Sequence, residues 1–571
     1  MTDELRPIQA PVLRGAMLEL VATLAEFPLT APLIAGQMFR NIDLAGFRRR
    51  EARGAPVVAP ALPRLDVADP GDYAAAEGSE DVDPSAWPRP ERDRLSSAMI
   101  VAAFRDGRDT PSAFAERLLA ALDKQEAGDP PLRAIVALDR ETFLAEAAAS
   151  TGRWAAGEPL GPLDGVPVTI KDETHVKGYP TTIGTSFFGK TPATEDATVV
   201  RRLREAGALI FGKANMHEIG IGVTGANPHH GMPLNAYAPG HAPGGSSSGS
   251  ASLVSAGLCP IALAADGGGS IRIPAAFCGQ FGLKPTHGRI SEHGAVPLCP
   301  SVGHLGPIAS NAADLLLAYE VFAGPDPADP ASLAQPPVTR PSPRQCESLE
   351  GLTIGLDPAW FGLADEAVTK PVRALLDQLV ETGATLQEIK VEGLAALRQV
   401  QLVTIATEMA QHQSIAGAPR LRDYGRDVRL NLALARALRA TDYLQAQRLR
   451  RDLCDHIQEL FESVDLIVTP MTACLPPAIP EAVVRGGESN LGLLDRIMRF
   501  APLANVTGIP ALTVPSGVDE GGRPSALQLF APAWREDRLL RAAFVAERLV
   551  TMPPAVRATP PAELLAELAS T

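Results

Sequence analysis

The sequence predicts an α/β fold in which a mixed or mostly parallel sheet is covered by helices on both faces. Short apolar segments typical of buried strands alternate with helical patterns over most of the chain, and such alternation is typical of this fold class. The 571 residues suffice for one large core or for several domains, and the 46% hydrophobic content excludes wholesale disorder. The strand candidates are 166–170, 208–211, 261–265, 352–356, 466–468 and 511–514.

Charge and cysteine usage exclude several functional classes. There are 52 Lys and Arg residues against 66 Asp and Glu residues, so the net charge of −14 argues against a nucleic-acid partner. The 6 cysteines are scattered without a CxxC pair, which favours a reducing compartment over a disulfide framework. The N-terminus MTDELRPIQA lacks the basic start and apolar centre of a targeting peptide. We therefore expect a cytoplasmic protein, either free or peripheral on a membrane.

Residues 1–54 predict an apolar helical hairpin. The apolar positions of its first helix recur at steps of four and three residues, which places them on one face: Leu13, Met17, Leu20, Leu24 and Phe27. Pro28 and Pro32 interrupt this helix, and a second apolar segment then runs into a cluster of arginines. Such a hairpin can dock on the protein's own core, form a dimer contact, or contact a membrane surface through residues 13–39.

Residues 55–94 are rich in Pro, Asp, Ala and Gly and show no regular period, so we expect an extended arm. The main domain is then residues 95–571. Its first long helix is predicted at 111–127, with Thr110 as the N-cap and Pro111 at the first helical position. Further helical patterns lie at 140–154, 197–206, 366–382 and 443–461.

Two segments rich in glycine and serine carry the candidate chemistry. The segment GGSSSGSA, residues 244–251, opens an apolar helical run, although by itself it is more typical of a flexible turn. The strand candidate 261–265 is followed by DGGGS, residues 266–270. Three consecutive glycines cost conformational entropy, so we expect bare backbone to be required there. Backbone N–H groups that converge beside a serine are what an oxyanion hole needs.

A serine nucleophile needs a base, and the best candidate is a lysine. None of the histidines starts an HExxH motif, and no GxSxG elbow is centred on Ser270. Lys171 directly follows the strand candidate 166–170, and burial lowers the pKa of a lysine, which allows it to lose its proton near neutral pH. The alternative is that Lys171 is a charge at the end of a strand, paired with Asp172 or Glu173.

Together these segments resemble the amidase signature family. The resemblance rests on GVPVTIKD around Lys171, on the serine-rich segment and on DGGGS, and it continues through FGLKPT at 281–286 to VTP at 468–470. It implies one α/β domain around a mixed sheet and hydrolysis of carboxamides through an acyl-enzyme, without metal or organic cofactor. Ser270 would then be the nucleophile, Ser246 the bridging serine on a cis peptide, and Lys171 the terminal base.

The resemblance also implies groups that bind the substrate. Gly220 lies in a loop that lines the pocket of such enzymes, and Ser247 is either a supporting donor at the substrate site or a helix cap. The N–H groups that would hold the oxyanion are those of Gly267, Gly268, Gly269 and Ser270.

Within the family, the resemblance is to plant-type fatty acid amide hydrolases. It is carried by GKANMHEIG at 212–220, by ATDYLQAQRLRR at 440–451 and by the N-terminal hairpin. The implied substrates are N-acylethanolamines and related fatty amides, and a homodimer with peripheral membrane contact is expected. The alternatives are an aryl acylamidase or another small-amide amidase, the amidase subunit of a tRNA-dependent amidotransferase, and an inactive lipid-binding protein on the same fold.

Overall fold

The computed structural model describes residue 5 and residues 7–62, 94–415 and 421–565. The strands in these ranges are β1 Leu13–Arg14, β2 Ile135–Ala137, β3 Pro167–Lys171, β4 Leu209–Ala214, β5 Ile261–Ala265, β6 Phe281–Lys284, β7 Leu305–Ala309, β8 Thr353–Leu356, β9 Thr385–Glu388, β10 Leu466–Pro470, β11 Glu488–Ser489, β12 Ala511–Val518 and β13 Pro524–Phe530. The α-helices are α1 Gly15–Glu26, α2 Ala31–Asn41, α3 Leu44–Arg48, α4 Ser97–Arg105, α5 Pro111–Glu126, α6 Arg140–Ala156, α7 Thr198–Glu205, α8 Ser248–Ser255, α9 Arg272–Phe277, α10 Ala312–Phe322, α11 Pro358–Phe361, α12 Glu366–Glu381, α13 Leu394–Ile415, α14 Arg426–Ala435, α15 Ala440–Leu460, α16 Glu481–Gly486, α17 Leu491–Met498, α18 Pro502–Thr507, α19 Glu536–Leu549 and α20 Pro561–Leu564.

Eleven strands form one mixed sheet in the order β2-β4-β3-β5-β7-β6-β12-β13-β10-β8-β9. Strand β3 pairs in parallel with β4 and β5, and β8 pairs in parallel with β9 and β10. Antiparallel pairs join these two parallel parts. The predicted mixed sheet is therefore confirmed, and all six strand candidates are strands. In this sheet the sequence analysis missed β2, β6, β7, β9 and β13, and it also missed β1 and β11, which pair separately.

The parallel neighbours β3 and β5 place the candidate chemistry. Both strands are buried at every position, as expected of strands in the interior of a covered sheet. Because parallel neighbours end at the same edge of a sheet, the residues that follow them come together. Lys171 is the last residue of β3, and Asp266 directly follows β5.

The predicted helix at 111–127 is α5, and its start is the one expected from the sequence. The Thr110 side chain accepts a hydrogen bond from the Ala113 N–H, and Pro111 occupies the first helical position, where its missing N–H costs nothing. Helix α5 packs its apolar face, with Phe114 and Leu118, into the core that also buries β3 and β5.

The N-terminal helix pair is present, but only part of the apolar face predicted from the sequence packs on the protein. Helix α1 buries Leu18 and Ala22 against α14. In contrast, Met17, Leu20 and Phe27 are 56%, 53% and 59% exposed. Three of the five residues of the predicted apolar face therefore point outward, whereas Leu13 is buried with Leu18 and Ala22, and Leu24 is half-buried.

Polar contacts attach this helix pair to the main domain. Arg429 on α14 forms ion pairs of 2.8 Å with Glu19 and with Glu26 of α1, and β1 pairs with β11. No single helix in the described ranges is long and apolar enough to cross a membrane. Helices α1 and α2 meet that test only together, and they are bent by 116°. Of the expected arm at 55–94, residues 63–93 lie outside the described residues.

Candidate active site

The three candidate catalytic side chains line one cleft at the edge where β3 and β5 end. Lys171, Ser246 and Ser270 are 1%, 1% and 5% exposed. The cleft has a volume of about 460 Å³, its open mouth included. The sequence analysis thus named three residues, distant from one another in the chain, that the fold brings together.

Lys171 is placed to exchange a proton with Ser246. Its Nζ lies 2.8 Å from the Ser246 Oγ, 3.2 Å from the Ala265 carbonyl oxygen and 3.1 Å from the Glu173 Oε2. The carbonyl and carboxylate oxygens only accept hydrogen bonds, whereas a serine hydroxyl can donate or accept. A neutral amine can therefore donate to the two acceptors and keep its lone pair for the Ser246 hydroxyl. The three contacts fit a base as well as an ammonium.

The alternative, in which Lys171 pairs with a neighbouring carboxylate, is also observed in part. Glu173 makes that pair, while Asp172 instead faces Lys213 at 3.4 Å. Asp172 also accepts the Thr182 and Gly184 N–H groups at 3.2 and 3.1 Å. Asp172 thus ties the end of β3 to the following loop. The Glu173 pair coexists with the Ser246 contact, so the two readings of Lys171 are not mutually exclusive.

Ser246 lines the cleft, whereas Ser247 does not. The Gly245–Ser246 peptide is cis, as the resemblance implied, and the Ser246 carbonyl accepts the His217 N–H at 3.0 Å. The Ser247 side chain does not cap α8. Its hydroxyl donates to the Ala265 carbonyl at 3.1 Å and accepts the Ala265 N–H at 3.3 Å. Ser247 is fully buried and lies outside the set of residues that line the cleft.

Asp266 anchors the DGGGS loop from below. Its carboxylate accepts the N–H groups of Gly269 at 2.6 Å and Ile271 at 3.1 Å, and Arg272 Nε donates to it at 2.9 Å. Burial alone would raise the pKa of Asp266, but the charge and hydrogen bonds of Arg272 hold it well below its usual range. The N–H of Gly269, one of the four expected oxyanion donors, is therefore engaged with Asp266.

The other three expected donors are unengaged. Within the described ranges, the N–H groups of Gly267, Gly268 and Ser270 have no hydrogen-bond acceptor. Gly269 has φ +113°, and a Cβ there would lie 2.6 Å from the Ile273 Cδ1, so this turn requires glycine. In the part of the chain that is described, no hydrogen bond joins the Ser270 and Ser246 side chains, although both line the cleft.

Gly220 lies directly beside the candidate catalytic groups. A Cβ at this position would be 3.5 Å from the Ser246 Oγ and 3.3 Å from the Leu298 Cδ1. Leu298 continues into an apolar wall of the cleft with Ile405 and Met409 from α13. The cleft therefore joins a polar reactive centre to an apolar surface.

The sequence analysis gave no role to Glu292, a carboxyl group of the cleft, and named Glu173 only as a possible charge partner of Lys171. Burial and the neighbouring carboxyls of Asp329, Glu173 and Glu408 raise the pKa of Glu292 to about 8. Glu292 follows β6 by several residues in an irregular segment, where no local sequence pattern indicates a cleft residue. Among the residues that the structure describes, no group of three or more His, Cys, Asp or Glu side chains is placed to hold a metal ion.

Comparisons with known proteins identify the family. A sequence model of the family described as Amidase matches residues 116–540. A fatty acid amide hydrolase of Oryza sativa subsp. indica is 38% identical over 454 residues, which cover 78% of this chain and 75% of the relative. A fatty acid amide hydrolase of Arabidopsis thaliana is 33% identical over 575 residues, which cover 96% of this chain and 95% of the relative.

The comparison with solved structures agrees with the family match. The solved structure of native peptide amidase from Stenotrophomonas maltophilia superposes with a TM-score of 0.70 at 28% identity, and it covers 81% of this chain and 99% of that one. The family match spans most of the chain, and both relatives are at least 33% identical to it. The chain therefore belongs to the amidase family of amide hydrolases.

Proposed function

We propose that this chain hydrolyses carboxamides with Ser270 as the nucleophile, Ser246 as the bridging serine and Lys171 as the base. The observation that carries this proposal is the 2.8 Å contact between the Lys171 Nζ and the Ser246 Oγ in the cleft that Ser270 also lines. The unengaged N–H groups of the glycine turn beside Ser270 supply the donors that amide hydrolysis needs.

The proposed reaction moves one proton along the three side chains. The Ser270 Oγ attacks the carbonyl carbon while its proton passes to Ser246, and the Ser246 proton passes to Lys171. The tetrahedral oxyanion accepts hydrogen bonds from the N–H groups of Gly268 and Ser270, and Gly267 supplies a third donor. Losing one such donor typically raises the barrier by about 2.7–4 kcal/mol.

The proton then returns to the leaving group. Lys171 and Ser246 deliver it to the nitrogen, because an amide anion is a poor leaving group. The amine departs and the acyl group stays on Ser270 as an ester. Water attacks this acyl-enzyme by the same route and releases the carboxylic acid.

For the substrate we propose fatty acid amides, including N-acylethanolamines. Two observations support this choice: relatives named fatty acid amide hydrolase align over up to 96% of the chain, and one wall of the cleft is apolar. A small carboxamide is the alternative, since the peptide amidase has a similar fold. We disfavour an amidotransferase subunit because of the N-terminal hairpin, and an inactive lipid-binding protein because Lys171, Ser246 and Ser270 are all present.

We also propose that the exposed apolar face of the hairpin contacts a membrane surface peripherally and that the protein is a homodimer. The large apolar side chains that are about half or more exposed there are Val12, Met17, Leu20, Phe27, Leu29 and Leu33. A soluble monomer rarely exposes so many large apolar side chains in one segment.

The experiment that tests the catalytic proposal compares three substrates on purified protein: a long-chain N-acylethanolamine, its short-chain counterpart and an aryl acetamide. Ser270→Ala is the inactive variant. Ser250→Ala is the matched control, because Ser250 is also buried but its hydroxyl donates to the Leu263 carbonyl, outside the cleft.

We expect a preference for the long acyl chain that disappears in Ser270→Ala and persists in Ser250→Ala. Substantial turnover by a folded Ser270→Ala variant would overturn the assignment of the nucleophile. Equal or faster turnover of the aryl or short substrate would still support amide hydrolysis, but the substrate would then be a small carboxamide and not a fatty amide.

A further inference from the structure

In the part of the chain that the structure describes, the peptide between Gly267 and Gly268 is held by one side chain, Gln401. Gln401 lies on α13 and is 2% exposed. Its Nε2 donates to the Gly267 carbonyl oxygen at 2.6 Å. The NH₂ end of the amide must face this oxygen, because a carbonyl oxygen only accepts. One hydrogen bond thus joins the glycine turn to a helix that is 134 residues away in the sequence.

This peptide has little else to fix its orientation. Neither flanking residue has a Cβ, so rotation of the plane between Gly267 and Gly268 meets little steric resistance. In a trans peptide, the carbonyl and the following N–H point in opposite directions. Holding the Gly267 carbonyl against α13 therefore directs the Gly268 N–H away from α13. That N–H has no acceptor within the described residues.

The other half of the turn has a separate anchor. Asp266 accepts the Gly269 and Ile271 N–H groups and leaves the Gly267–Gly268 peptide to Gln401. The Gln401 Oε1 is buried and has no partner among the described residues. A buried amide oxygen without a partner is unfavourable, so an apolar side chain would be more stable at this position if packing were its only role. The contribution of the Gln401 amide is therefore the hydrogen bond that its Nε2 donates.

We propose that Gln401 is a positioning residue for amide hydrolysis: it holds the Gly267 carbonyl so that the Gly268 N–H faces the oxyanion. This inference rests on the proposed function, since it takes Ser270 as the nucleophile and Gly268 as an oxyanion donor. Without the Gln401 donor, the peptide plane can turn and place a carbonyl oxygen where the N–H is needed. The transition state loses more by this change than the bound substrate does, because the negative charge develops only in the transition state.

The test compares Gln401→Met, which keeps the length of the side chain and lacks the donor, with Gln399→Met. Gln399 is a matched control because it lies on the same helix, is 6% exposed, and donates to the carbonyls of Ile42 and Asp43, outside the cleft. Two quantities are measured on each full-length variant. They are kcat and KM for the best amide substrate, and the affinity for a trifluoromethyl ketone of the same acyl length, which adds to a serine as a tetrahedral anion.

We expect Gln401→Met to lower kcat by about 10-fold to about 100-fold, less than complete loss of a donor, with KM changed by less than about threefold. The affinity for the ketone falls by the same factor as kcat. Gln399→Met leaves both near the values of the unchanged protein, so a general effect of altering α13 is excluded. If Gln401→Met does not fold, Gln401→Glu is measured in the same way, because it keeps the shape and its carboxylate has no donor.

Two results would overturn this role for Gln401. One is a kcat close to that of the unchanged protein. The other is a lowered kcat with unchanged affinity for the ketone. The Ser270→Ala variant distinguishes failure of the proposed function from failure of the role proposed for Gln401. If it stays active, the proposed function fails; if it is inactive while Gln401→Met is fully active, only the role of Gln401 fails.

Discussion

The apolar face of the N-terminal hairpin gives a quantitative prediction for the double variant Leu29→Glu/Leu33→Glu. These two leucines are 81% and 74% exposed. Fully burying a leucine contributes roughly 1.5–3 kcal/mol, so at these exposures the pair contributes about 2.3–4.7 kcal/mol when the face enters lipid. Since about 1.4 kcal/mol corresponds to a factor of ten, we expect the double variant to bind vesicles roughly 40-fold to 2000-fold more weakly.

The assay is co-sedimentation with phospholipid vesicles over a range of lipid concentrations. The matched control is Leu333→Glu/Leu444→Glu, which removes two other leucines that are 54% and 50% exposed and adds the same charge. Hydrolysis of a short, water-soluble amide should be unchanged in both double variants. Equal vesicle binding by the hairpin variant and the control would refute the membrane contact. If the hairpin variant alone has the mass of a monomer and its vesicle binding is unchanged, this face forms the contact between subunits.

The remaining predictions concern the cleft and the loop beneath it. The pKa of Glu292 is raised from 4.5 to about 8, so its contribution to stability is complete below pH 4.5 and is lost as the pH rises through 8. Melting temperatures should therefore fall between about pH 4.5 and about pH 8 and fall less steeply in Glu292→Gln, and parallel slopes would show that Glu292 is not responsible. Asp266→Asn leaves the fully buried Arg272 without its carboxylate and should lower the free energy of unfolding by about 3–5 kcal/mol in denaturant titrations. Asp519→Asn, which breaks a partly exposed ion pair, should cost at most about 1 kcal/mol, and an equally small loss in Asp266→Asn would contradict the anchoring role.

The strands that the sequence analysis missed show where local patterns stop being informative. Strand β13 carries Ser525 and Gln528 at fully buried positions. Gln528 is satisfied there by contacts that no local pattern reveals: its Nε2 donates to the Thr469 hydroxyl and the Phe500 carbonyl, and its Oε1 accepts from Arg272. A polar residue in a buried strand is stable only with such partners.

The sequence by itself determined the α/β class and indicated three candidate residues that the fold places in one cleft. Lys171 was a candidate because it directly follows an apolar strand, and Ser270 because it ends a turn of three glycines; the resemblance to the family singled out Ser246. These patterns are local in the sequence, so they can be recognised without a structure.

Only the tertiary structure decided which groups contact the candidate catalytic residues and the oxyanion donors. It placed Glu173 against Lys171, engaged the Gly269 N–H with Asp266, and brought Gln401 to the Gly267 carbonyl. It also left Met17, Leu20 and Phe27 of the predicted apolar face exposed. The physical reason is the same in each case: a hydrogen-bond partner or a packing face is selected by which element lies opposite, and that element is distant in sequence or fixed only when the helices and sheet have packed.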